Sequence, residues 1–165
     1  IKGIVNELTK LTHVSQTKTM EDLNLIIEET VEVYRNLYRN TSFLVEKDTL
    51  PLFKLDKDGL RRVFINLITN AVKAIEGADG KIIIQTKYEK SRGMAIVRFS
   101  DTGKGIARED REKVFYPYFT REKGGTGLGL AIVHSIVLEH HGRISVEENE
   151  PKGSPFIIEL PIIEA

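Results

Sequence analysis

A chain of 165 residues, 41% apolar and 29% charged, can bury one real core and is too hydrophobic to be a disordered tail. Lys plus Arg and Asp plus Glu both number 24, so net charge gives no whole-molecule attraction for nucleic acid or an anionic membrane. There is no cysteine, which excludes disulfides and thiol chemistry, and no apolar run approaches the roughly 20 residues of a membrane helix.

In chain order, Ile4, Val5, Leu8, Leu11 and Val14 recur three and four apart, which predicts one face of a short helix over residues 1–14. So short a helix needs a partner to be stable. The chain opens at Ile1 with neither an initiator Met nor a signal peptide, and it reads as a piece of a longer protein. Residues 15–21 are polar and aperiodic, the pattern of a linker. Asn24 is the expected cap of a helix whose stripe is Ile27, Val31, Tyr34 and Tyr38.

Two short apolar segments, 43–46 and 52–55, predict strands. Asp56 then caps a long helix to about Glu76, with Gly77 and Gly80 as its stop. Residues 81–89 and 94–101 predict paired strands joined by a turn at Gly93, and 108–114 a short helical stretch. Residues 116–126, rich in Gly and charge, predict a mobile loop. A helix over 128–140 ends at Gly142, and strands at 143–148 and 156–160 close the chain. The expected class is α+β: a two-layer sandwich with one mixed, mostly antiparallel sheet and helices on one face.

Three segments carry chemistry. On the long helix Asn66, Asn70 and Lys73 stand at i, i+4 and i+7 and so share a face. Two amide oxygens and an ammonium on one stripe suit Mg²⁺ and phosphates, although such a stripe taken alone is more often a solvated polar face. Asp101 ends a strand and leads into Gly103 and Gly105, where backbone can approach a flat ligand and the carboxylate can accept from an exocyclic amine. An ordinary Asp-x-Gly turn has the same pattern. Gly124, Gly125, Gly127 and Gly129 run into a helix, exposing N–H groups to an anion. The position a Rossmann fingerprint would give to glycine is Leu130, and no Gly-Lys-Ser/Thr follows as a P-loop requires. Between these segments, Phe115 and Phe119 flank Pro117 as core packing or as the anchor of a flexible lid. Arg121 and Lys123 are lid cations able to reach phosphate or to stay solvated.

In order, residues 66–74, 101–106, 115–119 and 125–130 resemble the asparagine, first glycine, aromatic and second glycine boxes of the ATP-binding catalytic domain of sensor histidine kinases. That family lies in a superfamily with DNA gyrase and a heat-shock chaperone ATPase, and residues 153–161 are similar to its closing strand motif. The resemblance covers about residues 20–163, and the wording over 118–129 and the first 40 residues is most similar to nitrogen-regulation-type sensor kinases.

The resemblance implies ATP and Mg²⁺ as cofactors and assigns roles by position. Asp101 would bind the adenine amine, with Gly103, Gly105 and Ile106 shaping its pocket. Asn66 and Asn70 would hold the metal, and Lys73 would meet phosphate, Asn66 and Lys73 acting in catalysis. Tyr118, Lys123, Thr126, Gly127, Leu128, Gly129 and Leu130 would complete the nucleotide site. Hydrolysing members of the superfamily carry a Glu where this chain has Asn66, which cannot act as a general base.

The family's acceptor histidine precedes an acidic residue, with Pro shortly after. His13, His134, His140 and His141 do not fit that pattern. His134 reads as structural, and the 140–141 pair as a helix terminus favoured by the dipole. Residues 1–18 are therefore expected to be the remnant of a second dimerisation helix and linker, and 19–165 the catalytic domain. The resemblance further implies a histidine-bearing dimerisation domain and a response regulator as partners. It also implies a cytoplasmic location with a parent kinase that can be membrane-anchored, and a monomeric fragment. A protein serine kinase or an ATPase of the same superfamily is the alternative.

Overall fold

The computed structural model describes residues 17–75, 79–121, 124–148 and 153–163. The helix expected over 1–14, the stop at Gly77 and Lys123 lie outside these residues. In chain order the elements are β1 (Thr19–Glu21), α1 (Leu23–Leu37), β2 (Thr41–Glu46), β3 (Phe53–Leu55), α2 (Lys57–Ile75), β4 (Gly80–Glu89) and β5 (Met94–Asp101). Two 3₁₀ turns follow (Arg108–Asp110 and Lys113–Phe115), then α3 (Gly129–Glu139), β6 (Arg143–Val146) and β7 (Phe156–Pro161).

Five strands form a sheet in the order β2-β4-β5-β7-β6, parallel between β2 and β4 and antiparallel elsewhere. The period-2 pattern puts Ile82, Ile84, Val97, Phe99, Ile158 and Leu160 on one buried face. Against it pack Leu23, Ile27 and Val31 of α1, Val63, Phe64, Leu67 and Ile68 of α2, and Val133, Ile136 and Val137 of α3. The alternate residues Ile83, Gln85, Ile96, Arg98, Ile157 and Glu159 are only partly buried. This is the expected two-layer arrangement, with all three helices sharing one core.

Three expectations need correction. The supposed linker contains β1, which pairs with β3 in a separate two-stranded sheet, Met20 opposite Lys54. Thr19, Met20 and Glu21 are too short a run to signal a strand by alternation, and the strand exists because Phe53 and Leu55, both buried, bring a partner edge. The cap of α1 is Asp22, whose Oδ1 accepts the N–H of Leu25 at 3.3 Å. Asn24 instead donates from Nδ2 to the carbonyl oxygen of Asp48 at 2.9 Å and accepts from Thr86 Oγ1 at 2.9 Å, pinning the loop after β2. Gly80 opens β4 rather than stopping α2: a Cβ there would lie 2.4 Å from the Ile75 side chain.

Asp56 caps α2 as expected, its Oδ1 accepting the Gly59 N–H at 3.0 Å. The short helical stretch expected over 108–114 takes the form of the two 3₁₀ turns. At the far end of α3, Lys18 Nζ donates to the carbonyl oxygen of Glu139, so Lys18, just ahead of β1, is tied to the helix C-terminus.

Candidate functional site

A cavity of about 500 Å³ opens between α2, α3, the end of β5 and the loops that follow it. It gathers Asn66, Asn70 and Lys73 from α2, Asp101, Gly105 and Ile106 from the end of β5, and 126–130 from the glycine segment. Three segments well separated in the sequence thus face one space. Gly103 and Tyr118 do not line it; they shape the segments that do.

The β5 end is built around Asp101. Its Oδ1 accepts the Gly103 N–H at 2.7 Å, and the Lys104 N–H donates to the carbonyl oxygen of Ala74 at 3.3 Å, seating the turn on the last turn of α2. A Cβ at Gly103 would lie 2.7 Å from both the Ala74 carbonyl carbon and its Cβ, so only glycine permits this approach. Burial raises the pKa of the Asp101 carboxyl, and the Gly103 N–H partly opposes it. Behind the turn, the buried Ser154 hydroxyl accepts the Ile106 N–H at 2.8 Å and donates to the Ile106 carbonyl oxygen at 3.3 Å. Sequence reasoning singled out the closing motif but not this serine, whose only signal is its place beside Gly153.

On α2, Asn66 donates from Nδ2 to the Arg62 carbonyl oxygen at 2.9 Å. Its Oδ1 faces the start of α3, 3.1 Å from where a Gly129 Cβ would stand, and Asn70 Nδ2 is 3.9 Å from the same point. The absent side chain at Gly129 therefore lets the helix N-terminus approach the two amides. No side chain caps the start of α3, which leaves its first N–H groups to a ligand. Among the described residues no three His, Asp or Glu side chains converge as a metal cluster; on the α2 face the oxygen donors are the amides of Asn66 and Asn70.

The glycine segment is held from the aromatic side. Tyr118, at φ 68°, donates its N–H to the Gly127 carbonyl oxygen at 2.9 Å. Gly127 has φ +70°, and a Cβ there would lie 2.5 Å from the Tyr118 carbonyl carbon. Phe115 stacks on His134 at 5.5 Å between centroids and meets Phe156 edge-on at 6.2 Å, which makes Phe115 core and gives His134 a packing partner. Arg121 pairs with Asp110 through two bonds, Nε to Oδ2 at 3.1 Å and a terminal nitrogen to Oδ1 at 3.0 Å. Asp110 was not among the residues picked out from sequence.

This arrangement combines a half-buried carboxylate, an amide-lined helix face, a lysine and an uncapped helix start: the parts of a nucleotide site. Residues 55–164 match the family model described as histidine kinase-, DNA gyrase B-, and HSP90-like ATPase. The chain belongs to this family. The sensor histidine kinase ZraS of Escherichia coli K12 is 40% identical over 159 residues, 94% of this chain and 33% of that protein. The sensory histidine kinase/phosphatase NtrB of Vibrio alginolyticus is 32% identical over 158 residues, 88% of this chain and 45% of that protein. The chain thus spans about a third of ZraS and under half of NtrB. Among solved structures, the catalytic domain of histidine kinase ThkA superposes with a TM-score of 0.81 at 34% identity, covering 90% of this chain and 97% of that one. ThkA in complex with the response regulator protein TrrA gives a TM-score of 0.81 at 31% identity, covering 98% of this chain and 47% of that one. The fold is the histidine-kinase form of the family's ATPase fold. Among the described residues no helix is long and apolar enough to cross a membrane.

Proposed function

We propose that this chain binds Mg·ATP in the cavity and transfers the γ-phosphoryl group to a histidine carried on a dimerisation domain, as the catalytic domain of a two-component sensor kinase. The observation that carries the reading is the convergence of Asp101, the Asn66–Asn70 face and the uncapped start of α3 on one cavity. Asp101, with Oδ1 engaged by Gly103, offers its other oxygen to the adenine amine, and Gly105 and Ile106 form the surface against the base. The amide oxygens of Asn66 and Asn70 fit Mg²⁺, a hard cation that takes few protein ligands when phosphates complete its shell. When bound, the metal supplies charge neutralisation on the phosphates. Lys73 meets phosphate oxygens, and the N–H groups at Gly129 and Leu130 receive the polyphosphate in the field of α3.

Catalysis by such a site is positioning and electrostatic stabilisation. Asn66 cannot take a proton from water, so the site protects the γ-phosphoryl until a histidine arrives. Residues 1–18 are the remnant of the dimerisation helix and its linker, and 19–165 the catalytic domain. A response regulator then receives the phosphoryl group, in keeping with the ThkA–TrrA pairing.

The test is phosphate release from saturating Mg·ATP by the isolated chain, with binding confirmed in the same sample. Tight binding with negligible release is expected. Sustained turnover would move the ATPase reading to the front.

A further inference from the structure

We propose that Asp110 and Arg121 form a positioning pair that holds the Phe119–Thr120 wall of the cavity in place before nucleotide arrives. This inference rests on the nucleotide reading of the cavity. Asp110 ends the 3₁₀ turn beyond Ile106, and Arg121 ends the aromatic segment; both line the cavity. Two parallel bonds in fork geometry, 3.0 and 3.1 Å, fix both position and orientation of the guanidinium. Arg121 also lies over the Phe119 ring at 5.1 Å, so the pair fastens that ring to the adenine-side turn. On the other side Tyr118 is tied through its N–H to Gly127. Residues 118–121 are thus held from both flanks.

The unequal burial of the two partners separates this role from a phosphate contact. The Asp110 side chain is 9% exposed and that of Arg121 66%. Were Arg121 to leave for a phosphate, it would strand a buried carboxylate in the wall of a cavity receiving a polyanion, with Lys113 the remaining positive influence on it. Keeping the pair intact cancels that charge beside the phosphates. A wall formed in advance spares the ordering of those residues on binding.

The experiment measures ATP and ADP affinity, and association rates of a fluorescent ATP analogue, for wild type, Asp110→Asn, Arg121→Gln, the double variant and Arg121→Lys. Asp110→Asn leads the set because it leaves no unpaired buried charge. Each single neutral variant is expected to weaken ATP and ADP alike by about fivefold or more, chiefly through slower association. The double should bind no worse than the weaker single, and Arg121→Lys, which keeps the charge and loses the fork, should recover binding in part. Tighter binding by Asp110→Asn, a loss confined to ATP, additive losses or unchanged affinities would each overturn the pair. Failure of the wild type to bind would remove the nucleotide reading and this inference with it, whereas wild-type binding with unchanged variants removes only the inference.

Discussion

His140 Nε2 accepts the backbone N–H of Asp56 at 3.0 Å, while its Nδ1 bonds the Ile136 carbonyl oxygen at 2.8 Å. One nitrogen accepts and the other donates, so the ring is the neutral tautomer with its proton on Nδ1. Asp56 caps α2 and His140 closes α3. A single uncharged ring therefore joins the bases of the two helices whose other ends meet at the cavity.

That tautomer sets a pH dependence. Burial, with Lys18 adding to it, lowers the His140 pKa below its ordinary 6.5 against the opposing pull of the Ile136 carbonyl. Above 6.5 neither the folded nor the unfolded chain holds the proton. Below it the unfolded chain binds one and the folded chain does not, so stability falls as pH drops from 6.5 towards the folded value. Urea unfolding at about pH 7.5 and about pH 5.5 should show this loss. His140→Phe should lower neutral-pH stability by about 1–3 kcal/mol, by orphaning the Asp56 N–H, and should flatten the pH slope.

Residues 140–141 end the helix as expected, but burial of one of two adjacent histidines has no local signature in the sequence. The same limit explains the other gaps. Asp56 was legible as a cap because its partner, Gly59, is three residues away. Asn24 was not, because its partners Asp48 and Thr86 are 24 and 62 residues away. Asn66, Asp101 and Gly129 could be grouped from their residue types and order along the chain, and they line one cavity. Ser154 and Asp110 were not, because each works through a contact across the fold, with Ile106 and Arg121, that no spacing announces.

Asp101→Asn should weaken ATP binding by about tenfold or more, because the amine of adenine loses a carboxylate acceptor. Stability should move the other way. Burial raises the Asp101 pKa, so the folded chain disfavours the charge and holds its proton at pH values where the unfolded chain has lost it. Stability is therefore gained as pH falls from the folded pKa towards 3.8, and removing the charge costs the fold nothing at neutral pH. Calorimetric titration beside thermal melts checks both halves; lost affinity accompanied by a collapsed melting temperature would mean that the residue serves the fold.

Gly124 and Gly127 make a matched pair for substitution. Both have positive φ, +82° and +70°, so alanine is strained at either by about 1 kcal/mol. At Gly124 nothing lies within 4 Å of the new Cβ, whereas at Gly127 backbone atoms of Tyr118 stand at 2.5 and 2.7 Å. Gly124→Ala should cost no more than its strain. Gly127→Ala must displace the 118–127 clasp, and nucleotide affinity should fall by at least about tenfold while the core, with Val133 and Ile136 fully buried, keeps the domain folded. Equal effects at the two positions would show that the clasp does not shape the site.

Asn70→Asp tests the metal role by changing one atom's chemistry on the asparagine face. The substitution sets a negative charge beside the phosphates, close to the start of α3, where Asn70 Nδ2 lies 3.9 Å from the ideal Gly129 Cβ. Without Mg²⁺ that charge repels the polyphosphate, and affinity should fall by about tenfold, the factor for roughly 1.4 kcal/mol of like-charge repulsion. With Mg²⁺ the same carboxylate is a hard ligand, so the loss should shrink as the metal concentration rises. The expected result is a steeper Mg²⁺ dependence of nucleotide affinity in the variant than in the wild type. Parallel dependences would place the metal away from Asn70 and leave that amide as a phosphate contact alone.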